Sequence, residues 1–400
     1  MSFLRAARAA RAGKSMSGVP RILVAVVATV SLAGLFVSCG SSHHSTTGGP
    51  NHNAYVTLPS RGSVLLLHIN GSTGAITTGA ETPQVQNATT AGLALLPSKK
   101  FLYAVNSLAD SISIFKVASD GTLTLTATPT PASFGPKNAV IDPAGQYLLV
   151  TNDLSTVDGQ GSVSVYAIDA GSGALSEVAG SPVPANAHPS EILITRSGKF
   201  VYVTNQNEGM VTIFSFSNGV LTQLFPGSPV FSGSGASGLA VDAGERFLYV
   251  ANFSAPNPAP DQNQGNISGF TIDPNTGGLT LIPGSPFAPV NGANPSAITV
   301  DPGGKFVYAT TSGSSYSIWC FAISTSGNGE LTPVANSPFS QTAGNLFALI
   351  DPSGNYLYIG SGSGNGVAGF TYSSATGVPT AISGSPFATL STPGKMVLSE

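Results

Sequence analysis

The stretch Phe200-Val201-Tyr202-Val203-Thr204-Asn205 decides the fold, because it has the pattern of a buried β-strand and returns at intervals along the chain. Clear copies lie at Phe101–Asn106, Tyr147–Asn152 and Phe247–Asn252, and weaker copies at 54–57, 306–311 and 356–360. Successive copies are 46 to 59 residues apart. A period in this range, with four strand-like segments in each unit, is typical of a β-propeller.

A second repeated segment sets the number of units at seven. Each copy is followed by an alternating apolar segment, and these segments align at 64–69, 112–117, 163–168, 211–216, 267–272, 318–323 and 367–372. The first unit lacks a first strand of its own, whereas residues 393–399 match residues 189–195 of the best-formed unit. Pairing that last strand into the first unit would close the ring and remove an open sheet edge. The sequence therefore predicts an all-β, seven-bladed propeller of four-stranded antiparallel blades, closed by its C-terminal strand.

The first 39 residues have the pattern of a targeting signal. A basic region precedes a run of sixteen apolar or small residues at 22–37, which is shorter than the roughly 20 residues that a membrane span needs. The run ends at Cys39 in a context that resembles a bacterial lipoprotein signal, and an ordinary secretory signal with an incidental cysteine is the alternative. We expect lipidation at Cys39, a flexible linker over 40–52 and the propeller over 53–400. The lipid would then be the protein's contact with the membrane, outside the cytoplasm in the cell envelope.

Composition agrees with many short strands joined by tight turns. Charged residues make up only 8% of the 400 residues, while the chain contains 48 Gly and 29 Pro. Five of the fifteen basic residues lie in the signal, so ten basic and eighteen acidic residues remain, with a net charge of −8. An acidic surface without a basic stripe excludes nucleic acid as the expected partner.

One position on the predicted inner strands faces the mouth of the central channel. It is occupied, in chain order, by Gly92, Asn138, Glu191, Gly238, Ala297, Phe347 and Lys395. Glu191 is the single acid of this set, and Lys395 is expected roughly across the opening from it. With His188 just before it, Glu191 is a candidate general base. A hydrogen-bonded or solvated Glu191 without a catalytic role is the alternative.

The two longest insertions, at 153–161 and 253–266, fall on the same predicted face. Asp153 and Asp158 lie in the first and are candidate ligand-binding residues, because long loops on a rigid scaffold concentrate such residues. The alternative is that these are surface loops whose sequence has drifted because they tolerate change. The sequence contains no Cys/His metal pattern, phosphate-binding loop or dinucleotide fingerprint, so it predicts neither a metal nor a cofactor.

The repeated Tyr-Val-Thr-Asn strands, with Asp-Pro-x-Gly turns at Asp142, Asp301 and Asp351, resemble those of YVTN-type propellers. More closely, they resemble the seven-bladed lactonase family, which includes 6-phosphogluconolactonase-related enzymes. Recurring Gly-Ser-Pro-Phe segments at the ends of the repeats, as at 284–287 and 384–387, are similar to those of its secreted bacterial branch. The resemblance covers residues 53–400 and implies the same fold.

The resemblance also implies a site. The family carries a His in a Pro-His segment before one inner strand, a Glu near the start of the next, and an Arg after the following Tyr-Val-x-Asn. The matching positions are Pro136-Lys137-Asn138, Glu191 and Gln206, so the Glu is present and the His and Arg are replaced. Lys137, Asn138 and Gln206 are therefore candidate ligand-binding residues, together with Lys395.

Two functions follow from these residues. Without the His and the Arg, the site lacks the groups that would polarise a lactone carbonyl or stabilise its oxyanion. This favours an envelope-tethered binding scaffold. Such a scaffold would present its long-loop face and channel mouth to a small molecule, glycan or protein. The alternative is a lactone hydrolase with Glu191 as general base and His188 assisting.

Overall fold

Seven antiparallel sheets are arranged as the blades of a propeller around a central channel. The computed structural model describes residues 50–85, 88–153, 160–225, 228–253, 265–287, 294–312, 316–341, 345–362 and 364–399. Each blade has an inner, a second, a third and an outer strand, in that order from the channel. The prediction of a seven-bladed, all-β propeller is confirmed.

The blades are numbered by the order of their second strands. The inner strands of blades 1 to 7 are Met396–Ser399, Thr90–Leu95, Pro136–Ile141, Pro189–Ile194, Ala236–Val241, Asn294–Val300 and Asn345–Ile350. The second strands are His52–Leu58, Phe101–Asn106, Tyr147–Asn152, Phe200–Asn205, Phe247–Asn252, Phe306–Ser312 and Tyr356–Ser361. The third strands are Ser63–Ile69, Ser111–Val117, Ser162–Ile168, Met210–Ser217, Asn266–Ile272, Ser317–Ile323 and Gly366–Tyr372. The outer strands are Ile76–Glu81, Leu123–Leu125, Leu175–Glu177, Val220–Gln223, Leu279–Leu281, Leu331–Pro333 and Pro379–Ala381.

Five blades carry a further strand of two residues that the sequence did not predict. These strands pair with the start of the third strand and lie at Thr130–Pro131, Val183–Pro184, Val230–Phe231, Phe339–Ser340 and Phe387–Ala388. They form because the outer strand covers only the end of the third strand and leaves its first backbone groups unpaired. Within the described ranges, the one helical element is the 3-10 turn Pro59–Arg61, and no helix is long and apolar enough to cross a bilayer.

The ring is closed between its last and first strands, as the sequence predicts. Met396–Ser399 pairs antiparallel with His52–Leu58, and Asn53 lies opposite Ser399. The first strand begins at His52, one residue inside the expected linker. Because the inner strand of blade 1 comes from the C-terminus, neither terminal strand leaves an open edge at this junction.

Apolar side chains fill the spaces between neighbouring blades. The described residues form seven buried clusters, and each cluster joins two adjacent blades. Cys320 lies in one of them and is fully buried. Burial raises the pKa of the Cys320 thiol to about 12, so this thiol is protonated at neutral pH.

Tyrosine hydroxyls add a polar bond across six of the seven junctions. At each of these six, a Tyr of the second strand donates to the carbonyl of a glycine in the next blade's outer hairpin, as in the 2.9 Å bond from Tyr202 to Gly277. The others are Tyr55 to Gly121, Tyr103 to Gly173, Tyr249 to Gly329, Tyr308 to Gly377 and Tyr358 to Gly74. Gly277 is required there, because its φ is +70° and a Cβ would lie 2.4 Å from the Phe200 ring.

The junction between blades 3 and 4 is the exception. Leu149 occupies the tyrosine position, and the Tyr147 ring packs instead against Phe216 at a centroid distance of 5.7 Å. Among its described residues, this junction therefore has apolar packing but no tyrosine–glycine bond. It is also the junction at which the candidate site residues gather.

Candidate functional site

The channel opens on the face where the inner strands begin, which we call the mouth face. The connections from second to third strands lie on the same face, and the turns from inner to second strands lie on the opposite face. Just inside the mouth is a cavity of about 240 Å³. Six of the seven positions predicted to face the mouth line it, namely Asn138, Glu191, Gly238, Ala297, Phe347 and Lys395.

Irregular strand pairing aims these side chains into the channel. In blade 4 the register shifts between Pro189 and Ile192, so Glu191 has no direct partner on the second strand. Similar shifts occur at the start of the inner strands of blades 2, 3, 5, 6 and 7. Bulges of this kind re-aim one side chain and are frequent beside functional sites. The hydroxyl of Thr204 accepts the otherwise unpaired Glu191 N–H at 2.9 Å, which holds the bulge in place.

Two side chains from other blades bind the Glu191 carboxylate. The Lys395 ammonium of blade 1 lies 2.5 Å from Oε2, and the Asn138 amide of blade 3 donates to Oε1 at 2.7 Å. The Glu191 side chain is 22% exposed and that of Lys395 is 31% exposed, so the pair is open to a small ligand in the channel. Three residues predicted separately from the sequence therefore form one contiguous polar group.

Asn138 is held from both sides. Its Oδ1 accepts the Ala139 N–H at 2.9 Å, which leaves the amide nitrogen to donate to Glu191. Gly92 of blade 2 allows this arrangement, since a Cβ there would lie 2.8 Å from the Asn138 Cα. Asn138 thus orients the carboxylate and contributes no charge of its own.

A second polar cluster lies beside the first at the junction of blades 3 and 4. Asp153 binds the Lys137 ammonium at 2.6 Å and the His188 Nδ1 at 3.0 Å. His188 has a left-handed φ of 50°, and its carbonyl accepts the Gln206 N–H at 3.2 Å. The sequence placed these residues on one face but did not predict the cluster. The pairing of Asn152 with Pro136 accounts for the contact with Lys137, because it places Asp153, which follows Asn152, beside the start of the inner strand.

The structure separates several of the predicted residues from the cavity. His188, Lys137, Asp153 and Gln206 do not line it among the described residues, and His188 contacts Asp153 and not Glu191. Asp158 and Cys39 lie outside the described residues. Across the described ranges, no three His, Cys, Asp or Glu side chains are grouped so that they could hold a metal ion.

Three overlapping segments of the chain match one known protein family. A model of the lactonase family of seven-bladed β-propellers matches residues 43–185, 158–295 and 282–392. The chain belongs to this lactonase family. Curated relatives include the 6-phosphogluconolactonase of Cronobacter sakazakii, which is 27% identical over 270 residues, covering 65% of this chain and 73% of the relative. The 6-phosphogluconolactonase of Erwinia tasmaniensis is 24% identical over 265 residues, with the same coverage.

Solved structures of other lactonase-like proteins share the fold. A candidate 6-phosphogluconolactonase of Bacteroides uniformis has a TM-score of 0.72 at 19% identity, over 88% of this chain and all of that one. The periplasmic gluconolactonase of Pseudomonas aeruginosa has a TM-score of 0.69 at 17% identity, over 88% of this chain and 99% of that one. At such identities the likeness concerns the propeller alone.

The site that the resemblance implies falls on Glu191, on Lys137-Asn138 and on Gln206. The mouth of this chain therefore has the expected Glu, with Lys137-Asn138 and Gln206 in place of the expected His and Arg. The structure shows that a cation nevertheless reaches the carboxylate, because Lys395, which directly precedes the closing strand, lies against Glu191 across the channel. Its strand position was visible in the sequence, but its bond to Glu191 depends on the channel diameter.

Proposed function

We propose that this lactonase-family propeller hydrolyses a lactone in the mouth cavity. The observation that carries the proposal is the Glu191 carboxylate, held in the cavity by Lys395 and Asn138. Membership of the lactonase family supports it, as do curated relatives that are 6-phosphogluconolactonases. These findings favour the hydrolase, which the sequence alone ranked second, over the binding scaffold.

The size of the cavity supports a small substrate. About 240 Å³ is below the roughly 300–1,000 Å³ of typical pockets for drug-sized ligands. Asn138, Glu191 and Lys395 form a polar wall, and Leu239, Phe347 and their neighbours form an apolar one. A single ring with polar substituents matches such a cavity better than a glycan chain or a folded partner does.

The proposed chemistry uses two side chains directly. Glu191 accepts a proton from a water molecule as the water oxygen bonds to the lactone carbonyl carbon. The carbonyl oxygen becomes negatively charged, and the Lys395 ammonium stabilises this charge. The ring ester bond then breaks, and the departing ring oxygen takes the proton back from Glu191. The product is the open-chain hydroxy acid, and Asn138 acts as a positioning residue for the carboxylate.

The test is the hydrolysis rate of glucono-δ-lactone, corrected for its spontaneous hydrolysis. Glu191→Gln keeps the size of the side chain but removes the base, so kcat should fall about 100-fold or more. Glu208→Gln is the matched control, because Glu208 is an exposed acid on the mouth face of the same blade. Equal rates in wild type, Glu191→Gln and Glu208→Gln would exclude catalysis by Glu191.

A further inference from the structure

The basic residues are unevenly distributed over the two faces of the propeller. Between residues 50 and 400 the chain has ten Lys and Arg residues, and none falls in a segment that the structure leaves undescribed. Six lie in turns between inner and second strands, on the face opposite the mouth: Lys99, Lys100, Arg196, Lys199, Arg246 and Lys305. Lys116 is exposed on a third strand. The mouth face thus has only Arg61, Lys137 and Lys395.

Each of these three cations is already bound to a carboxylate. Arg61 makes two hydrogen bonds to Glu81, at 2.7 and 2.8 Å. The other two ion pairs are Lys137 with Asp153 and Lys395 with Glu191, as described above. An anion that enters the mouth would therefore have to displace a carboxylate before it gained a cation.

Further acids make the mouth face negative. Asp110 and Glu208 lie in the connections between second and third strands of blades 2 and 4. With Glu81, Asp153 and Glu191, they give five carboxylates against three cations among the described residues of this face. A phosphoryl group carries about −1.5 to −2 charges at neutral pH, so it would be repelled here.

We infer that the lactone accepted by this site is uncharged, in contrast to the phosphorylated lactone named for the curated relatives. This inference rests on the proposed function and narrows its substrate class. The polar wall of Asn138, Glu191 and Lys395 can bind hydroxyl groups, and the apolar wall can cover the face of a neutral ring. No described group of the mouth face offers an uncompensated positive charge to a phosphate.

The experiment compares kcat/KM for glucono-δ-lactone and for its 6-phosphate, at one pH and low ionic strength. Wild type should favour the uncharged lactone by about tenfold or more, because the negative mouth face repels the phosphoryl group. A preference for the 6-phosphate would overturn this inference and leave the proposed hydrolase standing. Hydrolysis of neither lactone above the spontaneous rate would overturn both.

A variant that frees one cation tests whether the pairing of the mouth-face cations causes the preference for the uncharged lactone. Asp153→Asn releases Lys137 on the mouth face, so kcat/KM for the 6-phosphate should rise relative to that for the uncharged lactone. Glu330→Gln makes the same charge change at an exposed hairpin on the opposite face, and should leave the ratio as in wild type. If the ratio of the two kcat/KM values were the same in Asp153→Asn and Glu330→Gln, the pairing of the mouth-face cations would not be the cause of the preference for the uncharged lactone.

Discussion

The Glu191 carboxylate and the Lys395 ammonium are 204 positions apart in the sequence and meet at 2.5 Å across the channel mouth. Glu191 belongs to blade 4, whereas Lys395 immediately precedes the strand that closes blade 1. The Lys395 N–H also donates to Thr57 at 2.8 Å, which anchors this residue to the first strand of the ring. The cation of the site is therefore in position only when the ring is closed.

Lys395→Met should lower kcat with a smaller change in KM. The methionine keeps an aliphatic stem of similar length but removes the charge that would stabilise the oxyanion, an interaction worth about 100-fold in rate. The measurement is the steady-state kinetics of lactone hydrolysis. Lys137→Met is the control, since it removes an ammonium from the neighbouring cluster outside the cavity. An unchanged kcat in Lys395→Met would show that Lys395 only neutralises Glu191.

Deletion of residues 393–400 should destabilise the whole propeller. It removes the inner strand of blade 1 and leaves the His52–Leu58 strand with an unpaired edge, which favours association between molecules. Thermal unfolding and size-exclusion chromatography would detect a lowered Tm and aggregates. Leu390→Ser is the control, because this half-exposed side chain lies just before the deleted segment. A truncated protein with the wild-type Tm would contradict closure by the last strand.

Tyr202→Phe should lower the free energy of unfolding by about 1 kcal/mol or more. The change removes the hydroxyl that bonds Gly277 and leaves a buried carbonyl without that partner. Tyr147→Phe is the matched control, because Tyr147 makes ring contacts but is not part of a tyrosine–glycine bond. Urea denaturation measures the free energy of unfolding of both variants. Similar losses in the two variants would mean that the inter-blade hydroxyl bond contributes nothing measurable.

The Arg61–Glu81 pair should contribute a pH-dependent part of the stability. Hydrogen bonds from Arg61 and Ser63 lower the pKa of Glu81 below its usual 4.5. A pKa that is lower in the folded than in the unfolded state stabilises the fold above the unfolded value, and this contribution is lost as the pH falls through the folded value.

Glu81→Gln should therefore lower the free energy of unfolding by about 1 kcal/mol at neutral pH and by progressively less below pH 4.5. Denaturation curves at a series of pH values would show this convergence. Glu208→Gln corrects for the loss of one exposed carboxylate from the same face. A constant difference between wild type and Glu81→Gln at every pH would contradict the assignment.

Much of the fold could be predicted from the sequence because its signals are local and repeated. The Phe200–Asn205 pattern marks each second strand, and the aspartate turns that precede these strands have a local cause. Asp142 Oδ1, for example, accepts the backbone N–H groups of Gln146 and Tyr147 at 2.7 and 2.6 Å. The tyrosine–glycine bonds were not predicted, since five of them join residues 66 to 80 positions apart and the sixth, from Tyr358 to Gly74, joins residues 284 positions apart, through the spacing of adjacent blades.

The candidate site was only partly predictable. The repeat alignment placed Glu191, Asn138 and Lys395 at equivalent positions, and their side chains do meet in one cavity. Distances across a ring do not follow from an alignment, however, and the partner of His188 is Asp153 and not Glu191. Gln206 was chosen by the family pattern, but its described contact is a backbone bond to His188.

Attachment to a membrane is a separate proposal that depends on Cys39. If this residue is lipidated, Cys39→Ser should move the protein from the membrane to the soluble fraction of fractionated cells. Cys320→Ser is the control, since the buried Cys320 thiol belongs to the core between blades 6 and 7. Membrane association that survives Cys39→Ser would contradict the lipid anchor.

The closure of blade 1 also decides how the propeller can be handled. Asn53 and Ser399 are paired at the end of the blade farthest from Glu191 and Lys395. A fusion partner, an affinity tag or a solid support joined next to His52 or Ser399 would therefore extend from the face opposite the mouth. Substrate could still enter at the mouth face, so the propeller is suited to immobilisation through the ends of these two strands.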